Sequence, residues 1–568
     1  MTSIFYKSKV MGNRIITIVS IIYLLNSNVS ATTYYLKNDG NDKAAGTSEA
    51  AAWATIAKVN NPGFAYTAGD VICFRKGDTW REMLTVPRDG LSGAYMKFTN
   101  YGTGNNPRIL GSNTTTWTEQ GDNIWKSDKT FTRPYSVGMY GAEIFFEKTD
   151  GNVSWGVHKK DTASLTAEYH WTWALNYVYV YSETDPDEKY RSVEIPQRAH
   201  VINLNAKSYI NIDGIDVFYC GESGIAYNLT DFPMTSKKGL IIENLEIGYI
   251  STKNSEAGYG TEAIYSDMIV RHCEVHDCGR RSLSFHLYGP FNVSNILIED
   301  NYFHDGYHTT GPDFSVGSSY NTYYGSIDGV IMRRNMFYDP PTHTIHSEQI
   351  FLQNYLHASL KSKLTNIYIY SNIFISPVGA AVNMEGTQSV FIYNNTFYNH
   401  NNNGSYHIWI DNYNASVKIK NNIFYTTLGN DRNGVGSGLF LRSGQNHKNV
   451  EADYNLYYRV NNFLRILEKE SASIFHMNDI ANIRLTLVWE TNSPVPADPR
   501  FKDAANRDFS LSKGSPAISR GVDLSLPGDF YGKPFNTGNP SIGAVEIGEN
   551  NISVASEQGK TLCPGPSK

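Results

Sequence analysis

One short pattern of residues recurs nine times between Ile210 and Tyr457. Each copy has apolar residues at alternate positions, then usually Asn, then an aromatic or β-branched residue two places on; the clearest copies are ILIEDNYF, VIMRRNMF, IYIYSNIF, VFIYNNTF and VKIKNNIF. The copies begin at residues 210, 240, 268, 296, 330, 367, 390, 417 and 450, so their spacing varies between 23 and 37 residues. Such a repeat restricts the chain to a solenoid or another repetitive architecture.

The alternation within each copy predicts a strand, because alternate side chains of a strand point to opposite faces. A helical repeat needs apolar spacings of three and four, and a propeller blade needs a longer repeat, about 40 residues or more. The pattern therefore favours an all-β fold of the β-helix type. Each coil supplies two or three short strands, and successive coils stack roughly 4.8 Å apart.

Asn occupies the same position in six successive copies. These residues are Asn301, Asn335, Asn372, Asn395, Asn422 and Asn455. An Asn tolerates the backbone angles of a tight bend, and its amide can bond the amide of the next coil. We interpret the column as structural and not catalytic. Cys273 takes the same position in an earlier copy, which predicts a buried small apolar side chain.

The first 31 residues have the pattern of a secretory signal. Lys7, Lys9 and Arg14 precede an apolar run, and Val29-Ser30-Ala31 is a small-residue cleavage site. The run is shorter than the roughly 20 residues of a stable membrane anchor. These features predict a secreted protein, at the cell surface, in the periplasm or outside the cell, with no membrane insertion after cleavage.

Composition limits the partners of the mature chain. The net charge of −6 argues against nucleic acid, which requires a basic face. Five scattered cysteines are too few for a disulfide scaffold, and their spacing fits no metal–thiolate site. We expect a monomer.

Breaks in the repeat divide the chain into six segments. The predicted segments are a signal peptide (1–31), an N-terminal cap with the first coils (32–112), a β-rich elaboration (113–198), the β-helix core (199–460), C-terminal coils and a cap (461–546), and a disordered tail (547–568). Five of the nine tryptophans lie in the elaboration. Core packing is their expected role, and a sugar-stacking platform is the alternative.

Motifs at both ends of the chain carry a family resemblance. They are YYLKNDGNDKAAGTSEAAAWATIAKVN, GDVICFRKGDTWRE and NYGTGNNPRILGS near the N-terminus, and DPRFKDAANRDFSLSKGSPAISRG and SIGAVE near the C-terminus. On these motifs the chain resembles secreted right-handed parallel β-helix proteins of the pectin-lyase-like superfamily, over most of Tyr34 to Glu546. The resemblance implies a right-handed parallel β-helix in a superfamily of polysaccharide lyases, glycoside hydrolases and uronan epimerases. Fold alone does not choose among these activities.

A second strand in each coil predicts a functional face. Its apolar residues alternate with polar ones, and continuing that alternation from coil to coil gives an outward column of His286, Asp313, Gln349 or Gln353, Glu385, Asp411 and Arg442. Acids, a histidine and an arginine on successive coils favour a substrate groove. The alternative is a solvated face with incidental ion pairs, such as Asp411 with Arg442.

Carboxylates in this column predict glycosidic-bond hydrolysis. We expect Asp313, Glu385 and Asp411 to be the catalytic set, with Glu348 as the acid that replaces one of them. Adjacent coils bring Glu385 and Asp411 near the roughly 5 Å of retaining enzymes, whereas Asp313 and Glu385 would lie roughly 9.6 Å apart, at the inverting limit. Two carboxylates in one groove also push their proton affinities apart.

The remaining candidates are predicted to bind a polysaccharide substrate. They are His286, His308, His343, His346, Gln349, Asn383, His407, Trp409 and Arg442. The spacing of His343 and His346 is weak evidence for a metal, so no metal site is predicted.

Two other functions remain open. One is β-elimination or epimerisation of a uronic-acid polymer, which requires a base and a cationic group, Ca²⁺ being a possible cofactor. The other is a noncatalytic glycan-binding protein.

Overall fold

The structure is a computed structural model. It describes residues 31–132, 143–228, 235–251, 253, 257–317, 324–340, 347–356, 362–399, 406–411, 413–426, 437–441, 447–458, 462–468, 471–476 and 480–547. Three long sheets run the length of the molecule, and their strands are parallel except for the last strand of one sheet. Each coil contributes one strand to each sheet, which is the arrangement of a right-handed parallel β-helix, as predicted.

Sheet 1 contains the repeated sequence pattern. Its strands are Thr33–Leu36, Val71–Arg75, Met96–Tyr101, Ile210–Asp213, Lys238–Glu243, Ser266–Arg271, Asn292–Glu299, Ser326–Arg333, Lys363–Tyr370, Val390–Tyr393, Val417–Lys420 and Val450–Asp453. The first residues of the nine copies pair directly from coil to coil, from Ile210 with Leu240 to Val417 with Val450. The alignment of the repeats therefore predicts the register of this sheet residue by residue.

Sheets 2 and 3 complete the coils. The strands of sheet 2 are Thr79–Trp80, Arg108–Leu110, Asp216–Phe218, Glu246–Gly248, Glu274–His276, Tyr302–His304, Met336–Tyr338, Ile373–Ile375, Thr396–Asn399, Ile423–Thr426 and Leu456–Tyr458. The strands of sheet 3 are Leu84–Thr85, His200–Asn203, Ser223–Ala226, Tyr259–Glu262, Arg281–Leu287, Thr309–Val316, Ile350–Asn354, Ala380–Glu385, Tyr406–Ile410, Ser437–Leu441, Asn462–Glu468 and the antiparallel Ser471–His476.

The predicted Asn ladder lies at the bend between sheets 1 and 2. Oδ1 of Asn372 accepts from the backbone N and from Nδ2 of Asn335 at 2.9 and 3.0 Å, and Asn395 accepts in the same way from Asn372. The six side chains are at most 1 % exposed. Because every buried amide finds partners in its own and neighbouring coils, the ladder fixes the bend and ties successive coils together.

Stacked aromatic rings fill the interior beneath sheet 2. They are Phe303, Phe337, Phe374, Phe397, Phe424 and Tyr457. Successive ring centroids lie 4.7–5.2 Å apart, close to the spacing of the strands that carry the rings. The stack continues the hydrophobic core from coil to coil.

A mainly antiparallel elaboration follows the first coils. Its strands are Ser112–Asn113, Trp117–Gly121, Ile124–Ser127, Phe145–Lys148, Val153–Trp155, Val157–His158, His170–Ala174, Tyr177–Tyr181 and Tyr190–Pro196. Trp117 and Trp171 belong to its buried core, and Trp125 and Trp173 pack against that core. Core packing is thus confirmed for these four tryptophans.

Short helices complete the structure. The α-helices are Ile56–Val59, Pro186–Lys189 and Ile480–Leu487, the 3-10 helices are Thr162–Ser164, His447–Asn449 and Ala504–Asn506, and a hairpin joins Phe501–Asp503 to Asp508–Leu511. Ile483 and Leu487 of the third helix pack into the solenoid core, which covers the apolar interior of the last coils. In the part of the chain described, no helix is long and apolar enough to cross a membrane. The predicted signal and nearly all of the predicted tail lie outside the described residues.

Candidate functional site

The outer face of sheet 3 carries three columns of side chains. Column 1 contains Tyr259, Arg281, Thr309 and Glu348; column 2 contains Glu262, Ser284, Asp313, Phe351, Asn383 and Trp409; and column 3 contains His286, Ser315, Gln353 and Glu385, next to Asp411. Members of a column pair directly on successive coils. Asp313, Glu385 and Asp411 therefore share one external wall of the solenoid.

Glycines at the start of the strands bring column 1 onto this face. A Cβ on Gly260 would lie 2.9 Å from Cγ1 of Val275, and one on Gly311 would lie 2.4 Å from Cε1 of Phe337, so both positions point into the core. The next residue along each strand, Thr261 or Pro312, follows the inward column of Leu283. In the strand Tyr259–Glu262 these two consecutive inward positions interrupt the alternation, and Tyr259 before them continues column 1. In the strand Thr309–Val316 the pairing irregularity adds one more residue, Thr310, and Thr309 continues column 1.

Because of this interruption, two of the residues predicted to face outward point into the core. Gln349 is fully buried, and its Nε2 donates to the backbone oxygen of Ile375 at 2.7 Å. His407 is also buried and packs against the rings of Phe397 and Phe424. The expectation that these two side chains line the groove is wrong, because strict alternation does not hold at the corner between sheets 2 and 3.

Asp313 lies one column away from its predicted position. Ser315 pairs with His286 and Gln353 and so occupies the predicted place in column 3. Asp313 and Glu385 are two coils and two residues apart, and their Cα atoms are separated by roughly 12 Å, not by the predicted 9.6 Å. His343, His346 and Arg442 lie outside the described residues, as does the predicted ion pair of Arg442 with Asp411.

Asp313 is the centre of the most connected cluster on this face. It is fully buried, and its Oδ2 accepts from Nε of Arg281, which is 6 % exposed. Its Oδ1 faces Nε2 of His286 at 3.1 Å and accepts from Oγ of Ser315 at 3.0 Å. Nδ1 of His286 lies 2.6 Å from the hydroxyl of Tyr288. Paired in this way, a buried carboxylate retains its charge.

The charges of this cluster follow from its contacts. Burial raises the pKa of Asp313, but Arg281 and His286 outweigh burial and hold the pKa well below its usual range. Burial and Arg281 lower the pKa of His286 and of His308, so both imidazoles are neutral at pH 7. The cluster thus contains an ionised aspartate, an arginine and two neutral histidines.

Glu262 has the opposite protonation behaviour. It is half-buried, and burial raises its pKa to about 7, although Oγ of Ser223 donates to Oε2 at 3.0 Å. Glu262 pairs with Ser284, and Ser284 pairs with Asp313. The two carboxyl groups therefore occupy the same column, two coils or roughly 9.6 Å apart.

Ser284 lies between the two acids in the column. Its side chain is 1 % exposed, and its Oγ has no hydrogen-bond partner among the described residues. A buried hydroxyl without a protein partner commonly binds an ordered water. The position suits a water molecule between Glu262 and Asp313.

The remaining predicted acids lie on the C-terminal coils of the same face. Nε2 of Gln353 donates to Oε2 of Glu385 at 2.8 Å, and Nδ2 of Asn383 donates to Oε1 of Glu348 at 3.3 Å. The backbone N of Asp411 donates to the oxygen of Met384, which places Asp411 beside Glu385 on the adjacent coil. No group of three metal-ligating side chains occurs in the ranges described above.

A buried acid supports the coil that carries Glu348. Asp339 is fully buried, accepts from Oγ1 of Thr310 at 2.5 Å and from Nε2 of Gln349 at 3.1 Å, and burial raises its pKa to about 8. Because the folded protein binds this proton more tightly than the unfolded chain, Asp339 lowers the free energy of unfolding as pH rises from about 4 to about 8.

We expect Asp339→Asn to reduce the loss of stability on raising the pH from 5 to 9. The variant carries no titrating group at this position, so the difference in free energy of unfolding between the two proteins should change by about 4 kcal/mol between these pH values. Urea unfolding at both pH values measures it. The other buried acids titrate equally in both proteins, and parallel pH profiles would show that Asp339 is ionised in the folded state.

Several residues of this cluster escape sequence reasoning. Glu262 ends the strand YGTE, which has no apolar alternation to indicate which residues face outward. Arg281 lies before the irregularity in pairing between Arg281 and Leu283, so strict alternation places it inside. The sequence has one feature that points to the pair: the number of residues between Glu262 and Asp313 corresponds to about two repeats.

Of three comparisons with known proteins, only the one with solved structures found matches. No protein-family model and no curated sequence matches the chain. The complex of XylC with xylose is 13 % identical over 91 % of this chain and 98 % of that chain, with a TM-score of 0.52. Pectate lyase Pel9A is 12 % identical over 92 % of this chain and 98 % of that chain, with a TM-score of 0.48. A glycoside hydrolase is 10 % identical over 77 % of this chain and 95 % of that chain, with a TM-score of 0.47.

Similarity at this level of identity concerns the fold alone. The chain has a right-handed parallel β-helix fold.

Proposed function

We propose that this protein is a secreted enzyme that hydrolyses glycosidic bonds of a polysaccharide on the outer face of sheet 3. The observation that carries the proposal is a pair of carboxyl groups with opposite protonation in one column. Glu262 has a pKa of about 7, whereas Asp313 is ionised. Enzymes that cleave glycosides use such a pair as acid and base. The xylose in the XylC structure is consistent with a sugar ligand on this fold.

Glu262 is the proposed general acid. It donates its proton to the glycosidic oxygen as the bond from that oxygen to the anomeric carbon breaks. Asp313 takes a proton from the water that attacks the anomeric carbon from the opposite face, and Ser284 holds this water. Solvent then returns a proton to Glu262 and removes one from Asp313, so no other reactant is consumed.

The separation of the two acids favours inversion of the anomeric centre. Two coil spacings give roughly 9.6 Å, close to the upper limit of about 9.5 Å for inverting enzymes. Oδ2 of Asp313 accepts from Arg281, and a carboxylate oxygen has two acceptor positions, so Oδ2 retains one for the water. Arg281 and His286 position Asp313 and keep it ionised.

Glu385 and Asp411 form the alternative catalytic pair. They lie beside each other on adjacent coils, at a spacing of about 4.8 Å that suits the double displacement of retaining enzymes. Glu348 remains the predicted replacement acid. The anomeric form of the first product distinguishes the pairs, because Glu262 with Asp313 predicts inversion and Glu385 with Asp411 predicts retention.

A specific contact supports β-elimination as a second candidate. The hydroxyl of Tyr288 lies 2.6 Å from Nδ1 of His286, which in turn contacts Asp313. A tyrosine held by a neutral histidine near Arg281 has the components of a base with a cationic neighbour. In this mechanism Tyr288→Phe abolishes activity, whereas hydrolysis by the two acids tolerates the change.

The chemistry of the products tests the proposal. We expect incubation with a panel of neutral and uronic-acid glycans to release reducing ends without absorbance of unsaturated sugars. Asp313→Asn should remove this activity, and Ser284→Ala, which leaves the buried ion pair intact, should lower kcat while the protein stays folded. Unsaturated products would establish elimination instead, and retention of a glycan without any product would indicate a binding protein.

A further inference from the structure

Two histidines stack on the outer face of sheet 2, outside the proposed catalytic face. His276 pairs with His304 on the next coil, and their ring centroids lie 4.9 Å apart with an angle of 5° between the ring planes. His276 is buried and His304 is half-buried. The pair takes no part in the mechanism proposed above.

His276 lies between two carboxylates. Its Nδ1 is 2.9 Å from Oδ2 of Asp277, and its Nε2 is 3.2 Å from Oε1 of Glu246. An ionised carboxylate only accepts hydrogen bonds, whereas a neutral imidazole donates through one of its two nitrogens. Both contacts of His276 are therefore hydrogen bonds only when the ring is protonated.

His304 repeats this arrangement one coil further along. Its Nδ1 is 2.7 Å from Oδ2 of Asp305, and its Nε2 is 3.0 Å from Oε1 of Glu274. Two stacked imidazolium ions repel each other, and the four carboxylates around them compensate this repulsion. The contacts of the two rings thus require a proton on each of the four ring nitrogens.

The pKa values of the two rings agree with this geometry. Burial lowers the pKa of His276, but Asp277 and Glu246 outweigh burial and hold the pKa well above its usual range. Burial also lowers the pKa of His304, whereas Asp305 and Glu274 raise it, and the net shift is upward. Because the folded protein binds these protons more tightly than the unfolded chain, their stabilising effect is complete below a pH of about 6.5. It is lost as pH rises through the raised pKa values.

Asp277 joins the histidine pair to the elaboration. Its second oxygen, Oδ1, accepts from Nε1 of Trp155 at 3.1 Å. Trp155 ends the strand Val153–Trp155 of the elaboration, and its ring centroid lies 5.8 Å from that of Tyr307 and 6.4 Å from that of Tyr249. One carboxylate therefore connects a titrating histidine of sheet 2 to an edge of the elaboration.

Titratable and charged side chains of other segments surround this cluster. They are Tyr249, Tyr302, Tyr307, Lys253, Arg507, Glu143 and Asp339. Two of them titrate near neutral pH, because burial raises the pKa of Glu143 to about 7 and that of Asp339 to about 8. Both acids gain negative charge as pH rises, in the range in which the histidines lose positive charge.

We propose that the stacked histidines form a proton-dependent clasp, which fastens the Trp155 edge of the elaboration to sheet 2 at acid pH and releases it at alkaline pH. A neutral ring has one donor for two carboxylates, and the loss of both protons adds two negative charges to the cluster. Asp277 is then repelled by Glu246 and Glu274 and is no longer held in place for Trp155. The clasp is independent of the reaction proposed for sheet 3.

Nuclear magnetic resonance of protein labelled with ¹⁵N at histidine tests the protonation. We expect both rings to be mostly protonated on both nitrogens at pH 7, and their signals to disappear in His276→Gln and His304→Gln respectively. Either ring being mostly neutral at pH 7 would overturn the inference.

Hydrogen exchange of residues 153–158 tests the fastening. After correction for the intrinsic effect of pH, we expect the protection of these amides to fall roughly tenfold between pH 6 and pH 9, while the strand Tyr177–Tyr181 keeps its protection. Trp155→Phe keeps a ring but removes the bond to Asp277, so its protection should be low at both pH values. Trp125→Phe is the matched control, because the indole of Trp125 donates to the backbone oxygen of Ser182 within the elaboration.

Variants of the two neighbouring acids separate their titration from that of the histidines. The pH dependence of exchange should persist in Glu143→Gln and in Asp339→Asn. Equal protection of residues 153–158 at pH 6 and pH 9 would overturn the clasp. So would a pH dependence that survives in Trp155→Phe, or one that disappears in either acid variant.

Discussion

Glu262→Gln is expected to lower kcat/KM by a factor of roughly 10² to 10⁴, the usual contribution of a general acid. The amide keeps the size of the side chain and its contact with Ser223, but it has no proton to give to the leaving oxygen. In the wild-type protein the pKa of Glu262 is raised to about 7, and only the protonated form is active. Activity should therefore fall as pH rises through about 7.

Steady-state kinetics between pH 4 and 9 measure both effects. The residual activity of Glu262→Gln should lose the descending limb near pH 7. Glu451→Gln is the matched control, because Glu451 is an exposed acid on sheet 1, paired with Lys420 and distant from sheet 3. A variant at 262 that keeps the wild-type rate and pH profile would exclude Glu262 as the acid, and a comparable loss in Glu385→Gln would assign the role to the alternative pair.

Asn372→Ala is expected to lower the free energy of unfolding by roughly 4 kcal/mol, because each buried polar group left unpaired costs about 1–3 kcal/mol. Oδ1 of Asn372 accepts two hydrogen bonds from Asn335, and its Nδ2 donates to the backbone oxygens of Met332 and Tyr370 at 2.9 and 3.0 Å. Alanine leaves the backbone N of Asn335 and the oxygen of Met332 without these partners. The position is fully buried, so bulk solvent does not reach these groups.

Urea unfolding followed by circular dichroism measures this loss. Lys363→Ala, an exposed change on the same coil, should alter stability by less than about 0.5 kcal/mol. Hydrogen exchange adds a local readout, since the amide of Asn335 should lose protection before those of distant coils. Equal stability of the two variants would mean that the ladder contributes nothing beyond ordinary packing.

The sequence predicts the solenoid well because one residue type recurs where the backbone bends. Asn372 and its equivalents mark the same point of each coil, and alternate apolar residues such as Ile367 and Ile369 mark the inward face, so register follows by alignment. Sheet 3 has no such marker. Its inward residues change phase at one corner position, which is Gly260 or Gly311 in two coils and Gln349 or His407 in later ones, so these two side chains point away from the predicted groove.

The positions of the proposed site residues, though not their roles, follow from the sequence in part for the same reason. Asp313, Glu385 and Asp411 do share the outer face, because each follows clear apolar alternation. Glu262 and Arg281 were missed, since burial, ion pairing and a raised pKa depend on three-dimensional neighbours that alternation does not reveal. The protonation of Glu262 in particular arises from burial beside a strand that is distant in sequence.

The hydrogen bonds from one Asn side chain of the ladder to the next all run in one direction. Each Asn donates toward the following coil, and at the last coil the Nδ2 of Asn455 donates to both carboxylate oxygens of Glu490, which follows the third helix. A shortened chain that ends before Glu490 would leave the donors of Asn455 facing an open end. Shortening from the N-terminal side would instead leave the Oδ1 of the first remaining Asn without its donors. An unpaired carbonyl oxygen is tolerated more readily than an unpaired N–H group. The solenoid thus has a polarity, and its C-terminal end is the one that must be closed for the column to stay paired.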